Sequence, residues 1–292
     1  MAQDMHGKTV VITGGNAGIG KETAVALATS GARVVFTSRN PTRGADALGE
    51  IRSRSGSDDV EVMALDLASF SSVRSFAAEL SDREPRIDVL LNNAGLVLSK
   101  RQVTEDGNEM VFQVNHLGHF LLTDLLHDRL VASAPARVVN VASDAHKQAR
   151  RGLDFDDLQS ERKYRSFGVY AKSKLANILF TRELAKRWAD TGVTANALHP
   201  GFVASSFGRD GDSGKLGSLV YPLLKPFALT PVQGSQTSVY VASAPELEGI
   251  TGGYWAKSAP ANPAAAARDD AAALRLWDVS CSLGGVTTPG GG

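Results

Sequence analysis

Tyr170 and Lys174 stand four residues apart in Tyr170-Ala-Lys-Ser-Lys174, inside a stretch patterned as one amphipathic helix from Tyr164 to Trp188. That spacing puts both side chains on one helical face, a turn apart. An ammonium group favours the phenolate form of a neighbouring phenol, so Lys174 is expected to lower Tyr170 from the ordinary value of about 10. A phenol brought closer to working pH can give a proton to an alcohol or carbonyl oxygen, or take one from it. Ser143, just beyond the strand-like run Arg137-Val-Val-Asn-Val141, offers a hydroxyl that can hold the same oxygen. A Tyr and a Lys at this spacing also occur on plain amphipathic surfaces. Their weight comes from order along the chain: a glycine-rich turn, then the strand-end serine, then Tyr and Lys.

That turn is Thr13-Gly-Gly-Asn-Ala-Gly-Ile-Gly20, directly after the apolar run Thr9-Val-Val-Ile-Thr13 and at the opening of a helical pattern. Gly14, Gly18 and Gly20 leave no Cβ in the way, with Asn16 and Ile19 between them. Backbone amides and the positive end of a helix dipole can then meet a pyrophosphate. The spacing Gly14-x-x-x-Gly18-x-Gly20 is not the common GxGxxG. The second strand-like run ends in Ser38-Arg39-Asn40 without an acidic residue. An acid there would accept from a ribose 2′-hydroxyl, whereas Arg39 suits a 2′-phosphate, which favours NADP (NADPH) over NAD. Asp66 after the third run either accepts from an adenine amino group, with Leu67 beside the ring, or caps the next helix. Asn92-Asn-Ala-Gly95 after the fourth run, with Asn93, Ala94 and Gly95, either lets a ribose pass close to the backbone or forms a tight Asn-stabilised turn.

Strand-like runs at Thr9–Thr13, Arg33–Ser38, Val60–Leu65, Ile87–Leu91, Arg137–Val141 and Val193–Leu198 alternate with helical patterns, among them Ile19–Thr29, Pro41–Arg54, Ser69–Leu80 and Glu105–Leu130. Several runs are almost continuously apolar, as strands covered on both faces are. Alternation of this kind predicts an α/β fold: a single-domain Rossmann-type doubly wound parallel β-sheet with helices on both faces. Gly252–Ala256 is expected to add a last edge strand. One catalytic domain is expected over residues 1–280. Residues 202–230, rich in Gly, Pro and apolar side chains such as Leu216, Tyr221 and Phe227, are expected to form a substrate lid suited to a lipophilic substrate. Residues 281–292 are expected to be a disordered tail, with Cys281 incidental in it.

The motifs together resemble the short-chain dehydrogenase/reductase family over roughly residues 7–280. Thr13–Gly20 resembles its cofactor turn, Asn92–Gly95 its NNAG motif, and Ser143, Tyr170 and Lys174 its catalytic triad. The resemblance implies hydride transfer between a nicotinamide and a carbinol carbon. It also implies Asn115 as a fourth catalytic residue, holding a water that relays protons from Lys174, and Lys174 as a ligand of the nicotinamide ribose. Pro200, Gly201 and Val203 fall in the segment that meets the nicotinamide carboxamide, and Ser205 stands where the family commonly has Thr. Asn115–Thr123, Ser173–Thr181, Asp157-Leu158 and Arg268-Asp269 resemble the retinol dehydrogenase and WW-domain oxidoreductase branch. Membrane-bound members of that branch carry an N-terminal anchor. The polar Met1–Gly7 does not read as one, so a retinoid is not the expected substrate. Copies of the chain are implied to pair through the long helices bearing Asn115 and Tyr170, as a homodimer or homotetramer.

Other classes find little support. With 31 basic and 31 acidic residues, the chain shows no basic excess for a nucleic acid. One cysteine allows no intramolecular disulfide and fits a reducing compartment. No signal peptide or membrane span is read, so a cytoplasmic protein is expected. His116 and His119 lack a third ligand at suitable spacing, so no metal is expected and packing explains them better. His146 either borders the substrate pocket or faces solvent. The alternative to an enzyme on this fold is a nonenzymatic NADP(H)-binding sensor or scaffold. Such a protein has no need of the intact set Asn115, Ser143, Tyr170 and Lys174.

Overall fold

The computed structural model describes residues 3–203 and 228–286. Eight strands form one sheet: β1 Thr9–Ile12, β2 Arg33–Ser38, β3 Val60–Ala64, β4 Val89–Asn92, β5 Ala136–Val141, β6 Val193–His199, β7 Tyr254–Ala256 and β8 Ala259–Pro260. Their order is β3-β2-β1-β4-β5-β6-β7-β8. All neighbours are parallel until β7 meets β8, which runs antiparallel and forms the edge that β7 was expected to be. The order reverses between β1 and β4, so a crevice opens at their carboxyl ends, where open α/β sheets bind ligands. Gly14–Gly20 and Asn93–Gly95 lie there because they follow those two strands.

Helices cover both faces, which explains the uninterrupted apolar runs. On one side α1 (Gly18–Thr29), α2 (Pro41–Ser55) and α8 (Pro231–Ser243) bury Leu27, Ile51 and Val241 against Val10, Ile12 and Phe36. On the other, α3 (Phe70–Arg83), α5 (Gly118–Leu125), α7 (Ser166–Arg187) and α9 (Asp270–Gly284) pack Phe76, Phe120, Phe180 and Trp277 over Val11, Leu90 and Val138.

The helix expected from Glu105 begins later, at α4 (Met110–Phe112). Both carboxylate oxygens of Glu109 cap it, accepting from Val111 and Phe112 N–H at 3.0 and 2.7 Å. Gly107 upstream has φ +83°, which turns the chain away from a helix. A π-helical turn, Gln113–Leu117, then carries Asn115 before α5 resumes; α6 (His127–Ala132) follows a break at Leu126.

The expected disordered tail from 281 is corrected in its first part. Helix α9 runs through Cys281, which is buried, and ends at Gly284 under a left-handed Gly285 cap. The helix lies across α5 and α7. Trp277 meets the rings of Phe120 and Phe180 at 5.0 and 6.0 Å, and Ser280 Oγ lies 2.9 Å from His116 Nε2. The Arg187 guanidinium sits 4.5 Å from the Trp277 ring. Trp277→Ala is expected to cost about 3–5 kcal/mol through loss of this packing, read from urea unfolding midpoints; a loss below about 1 kcal/mol would count against it.

Candidate active site

Three strand ends and two helices bring the predicted chemistry together. Ser143 follows β5 and caps the short 3₁₀ turn Asp144–Gln148, its Oγ accepting from Ala145 N–H at 3.2 Å. Tyr170 lies in α7, half-buried, and its phenol hydrogen-bonds the Ser143 hydroxyl. Lys174, one turn on, is buried and donates to Val141 O at the end of β5, at 2.8 Å. Its Nζ stands 5.8 Å from the Tyr170 ring centroid.

Charge behaves differently here from the sequence-based expectation. Burial pushes the Tyr170 phenol up to about 12, with the Ser143 hydrogen bond pulling it down by less. Burial also presses Lys174 down to about 8. The ammonium is turned to the Val141 carbonyl, so desolvation of the phenol outweighs any help from Lys174. Burial therefore leaves a neutral phenol beside an ammonium group whose hold on its proton is weakened.

The Asn115 side chain ties neighbouring segments together. Its Oδ1 accepts from Leu96 N–H at 2.8 Å, and its Nδ2 donates to Leu96 O at 3.0 Å and Ser173 Oγ at 2.9 Å. Both Nδ2 hydrogens are thus used in tying the segment after β4 to α7. Ser173 escaped the sequence reading, although its place three residues after Tyr170 on the same helix marks it.

The glycine turn is shaped as expected. Gly14 and Gly18 have φ +65° and +54°, a region that favours glycine. A Cβ on Gly20 would lie 2.6 Å from Gly14 O, and one on Gly95 would lie 3.2 Å from Asn115 Oδ1 and 3.4 Å from Lys174 Nζ. No side chain caps the start of α1, where Ala17 is the N-cap residue. Its first amides therefore face the crevice with their dipole end uncapped. A glycine-lined strip runs from this turn, where Gly14 meets Ala94, past Gly95 to Lys174. These residues fit the pyrophosphate and nicotinamide ribose of a dinucleotide.

The turn is braced from below. Thr13 Oγ1 accepts from Asn93 and Ala94 N–H at 2.9 and 3.0 Å and meets His119 Nε2 at 2.9 Å. Asn93 Nδ2 donates to Thr13 O at 2.9 Å, and Gly14 N–H to Thr37 Oγ1 at 3.1 Å. His116 and His119 thus bond Ser280 and Thr13 respectively. Among the described residues no group of three or more His, Cys, Asp or Glu side chains could hold a metal ion.

Other expected cofactor residues fall as follows. Asn16 lines a shallow hollow with Ala17, Lys21 and Arg43 beside the glycine turn. Arg39 is exposed just past β2. Asp66 Oδ1 accepts from Ala68 N–H at 3.0 Å; the cap of α3 is Ser69, not Asp66. Leu67 is buried against Gly118, which makes it a core residue first. Ile19 and Val203 both close on Gly234 of α8, and Gly201 turns with φ +89° beside Leu229. Pro200 precedes it, half-buried, after β6. Ser205 and most of the expected lid, residues 204–227, lie outside the described residues, as does the tail from 287.

The model of the family described as short chain dehydrogenase matches residues 8–154 and 158–214. The chain belongs to the short chain dehydrogenase family. Within it, this dehydrogenase is 46% identical over 290 residues to human retinol dehydrogenase 14, covering 94% of this chain and 86% of that one. It is 47% identical over 280 residues to mouse retinol dehydrogenase 12, covering 96% and 87%. The solved structure of an uncharacterized protein from Mycobacterium paratuberculosis superposes with a TM-score of 0.79 at 33% identity, covering 99% of this chain and 97% of that chain. The RhlG/NADP active-site complex of Pseudomonas aeruginosa gives 0.68 at 26% identity, covering 86% and 94%. No helix among the described residues of the dehydrogenase is long and apolar enough to cross a membrane.

Proposed function

We propose that this short chain dehydrogenase is an NADP(H)-dependent oxidoreductase that interconverts a lipophilic alcohol and its carbonyl. The observation that carries the reading is the contact of the Tyr170 phenol with the Ser143 hydroxyl, one helical turn from Lys174 and at the end of the glycine-lined strip. A nicotinamide cofactor, when bound, supplies the hydride donor or acceptor. Tyr170 delivers its proton to the substrate oxygen on reduction and takes it back on oxidation. Ser143 donates to the same oxygen and steadies the charge that builds there. An ammonium carries three donors; one Lys174 donor is spent on Val141 O, and the others are suited to ribose hydroxyls. Lys174, near its own titration at about 8, can return a proton to the phenolate left by reduction. With the Asn115 side chain committed, any water relay from Lys174 would use its backbone carbonyl.

Arg39 supports NADP: it is exposed at the end of β2, where a ribose acid would otherwise stand. The intact set Ser143, Tyr170 and Lys174 supports an enzyme over a sensor. The likeness to retinol dehydrogenases supports including retinol in the substrate panel beside simpler lipophilic alcohols and ketones. A homodimer or homotetramer would have to pair elsewhere than on the faces of α5 and α7 that α9 covers.

The test is turnover of that panel with NADPH and with NADH. NADPH is expected to be preferred by roughly 10–100-fold, the worth of one charge-assisted phosphate contact. Arg39→Asp should reverse the preference. Equal or better turnover with NADH by the wild-type protein would overturn the NADP assignment, and activity confined to small charged substrates would overturn the lipophilic one.

A further inference from the structure

His146 is 0% exposed, and backbone groups hold both of its ring nitrogens. Nδ1 lies 2.7 Å from Ser143 O, and Nε2 lies 3.0 Å from Ala264 N. A backbone N–H can only donate, so Nε2 must be the bare nitrogen. The ring proton is then on Nδ1 and donates to the Ser143 carbonyl. The opposite tautomer sets an N–H against an N–H at Ala264 and two lone pairs against each other at Ser143. The doubly protonated ring loses the Ala264 bond. One of the three protonation states therefore satisfies the site, and burial, which holds the ring below its ordinary titration range, agrees with it.

The Ser143 carbonyl also accepts from His146 N–H at 3.1 Å, which fills both of its lone pairs. The imidazole meets Tyr254 of β7 edge to face at 5.4 Å, and Tyr254 stacks on His199 of β6 at 6.1 Å. Asp144 and Lys147, on the same 3₁₀ turn, pair with each other at 2.5 Å. The ring thus ties the turn after β5 to the segment after β8, behind the serine whose hydroxyl meets Tyr170.

We infer that His146 is a positioning residue for Ser143: as the neutral Nδ1–H tautomer it clamps the Ser143 carbonyl to Ala264 and so aims the Ser143 hydroxyl at Tyr170 and the substrate oxygen. The inference rests on the oxidoreductase reading above. Its effect belongs on the chemical step, since misplacing a reacting group by about 1 Å can cost on the order of 100-fold in rate. Cofactor binding at the glycine turn should be untouched.

The experiment compares wild type, His146→Leu, His146→Gln, Ser143→Ala and the double variant Ser143→Ala/His146→Leu. Leucine removes both hydrogen bonds, whereas glutamine keeps one donor and one acceptor. His146→Leu is expected to lower kcat roughly 10–100-fold, with NADPH dissociation, followed by fluorescence titration, changed less than about twofold. Glutamine should restore most of kcat. The double variant should be no slower than Ser143→Ala alone, because the two residues act as one unit. Nitrogen NMR of the wild-type protein should show Nδ1 protonated and Nε2 bare. Wild-type kcat in His146→Leu, a multiplicative loss in the double variant, or a protonated Nε2 would overturn the inference while the oxidoreductase reading stood. If leucine prevents folding, the glutamine variant and the NMR tautomer still decide. Absence of turnover by the wild-type protein across the panel would remove the oxidoreductase reading and this inference with it.

Discussion

Tyr170→Phe is expected to lower turnover of every alcohol and carbonyl substrate by roughly 10²–10⁴-fold, the ordinary worth of a positioned acid or base. The ring stays, so the packing of α7 and the neighbouring Phe167 ring 6.2 Å away are preserved. What is lost is the proton delivered to the substrate oxygen and the hydrogen bond to Ser143. The glycine turn and Lys174, bonded to Val141 rather than to the phenol, remain in place. NADPH should therefore bind the variant about as tightly as the wild type, and folding stability should change little. Single-turnover kinetics with a fluorescence titration of NADPH separates the two effects. Near-wild-type turnover would refute Tyr170 as the acid; a lost cofactor site would mean that the phenol is structural.

Stability should fall steeply in mild acid. His116 and His119 are buried, and desolvation holds each down to about 3 from 6.5. Between those values the unfolded chain binds protons that the folded one does not, so stability rises with pH through the window. It is fully present above about 6.5 and is lost as pH falls towards 3. Each histidine contributes roughly 1.4 kcal/mol per pH unit inside the window, so two of them between pH 6.5 and 4.5 amount to on the order of 5 kcal/mol. Glu109 and Asp124, whose carboxyls burial raises, pull the other way just above their ordinary range. Urea midpoints at pH 7.5, 6.0 and 4.5 measure the slope, and His119→Gln should flatten it. Equal midpoints at pH 7.5 and 4.5 would show that the buried rings are not neutral.

Much of this architecture is legible in the chain because the physics is local. The Val- and Leu-rich runs of β1, β4 and β5 show burial on both faces, and Gly14, Gly18 and Gly20 show where the backbone must bend without a Cβ. Tyr170 and Lys174 are readable from helical spacing alone. What escaped depends on contacts made across the fold. The π-helical turn at Asn115 has no period of its own in sequence, and the true cap at Glu109 competes with several polar neighbours. Cys281 reads as part of a polar tail because the core that buries it is built from elements far upstream. The direction of the Tyr170 shift is hidden for a related reason. Spacing places an ammonium nearby, whereas the burial that raises the phenol comes from the fold around it.

Helix α9 sets an order of events during synthesis. The hydrogen bond between His116 and Ser280 joins residues 164 apart, and Arg74 reaches Gly284 O across 210. Contacts of such span form late, since the loop they close must be ordered first. The aromatic flank of Phe120 and Phe180 is translated long before Trp277 exists to cover it. While a nascent chain is still short of α9, the helix holding Tyr170 presents a bare apolar side. Apolar surface exposed in that way makes a partly made chain prone to aggregate.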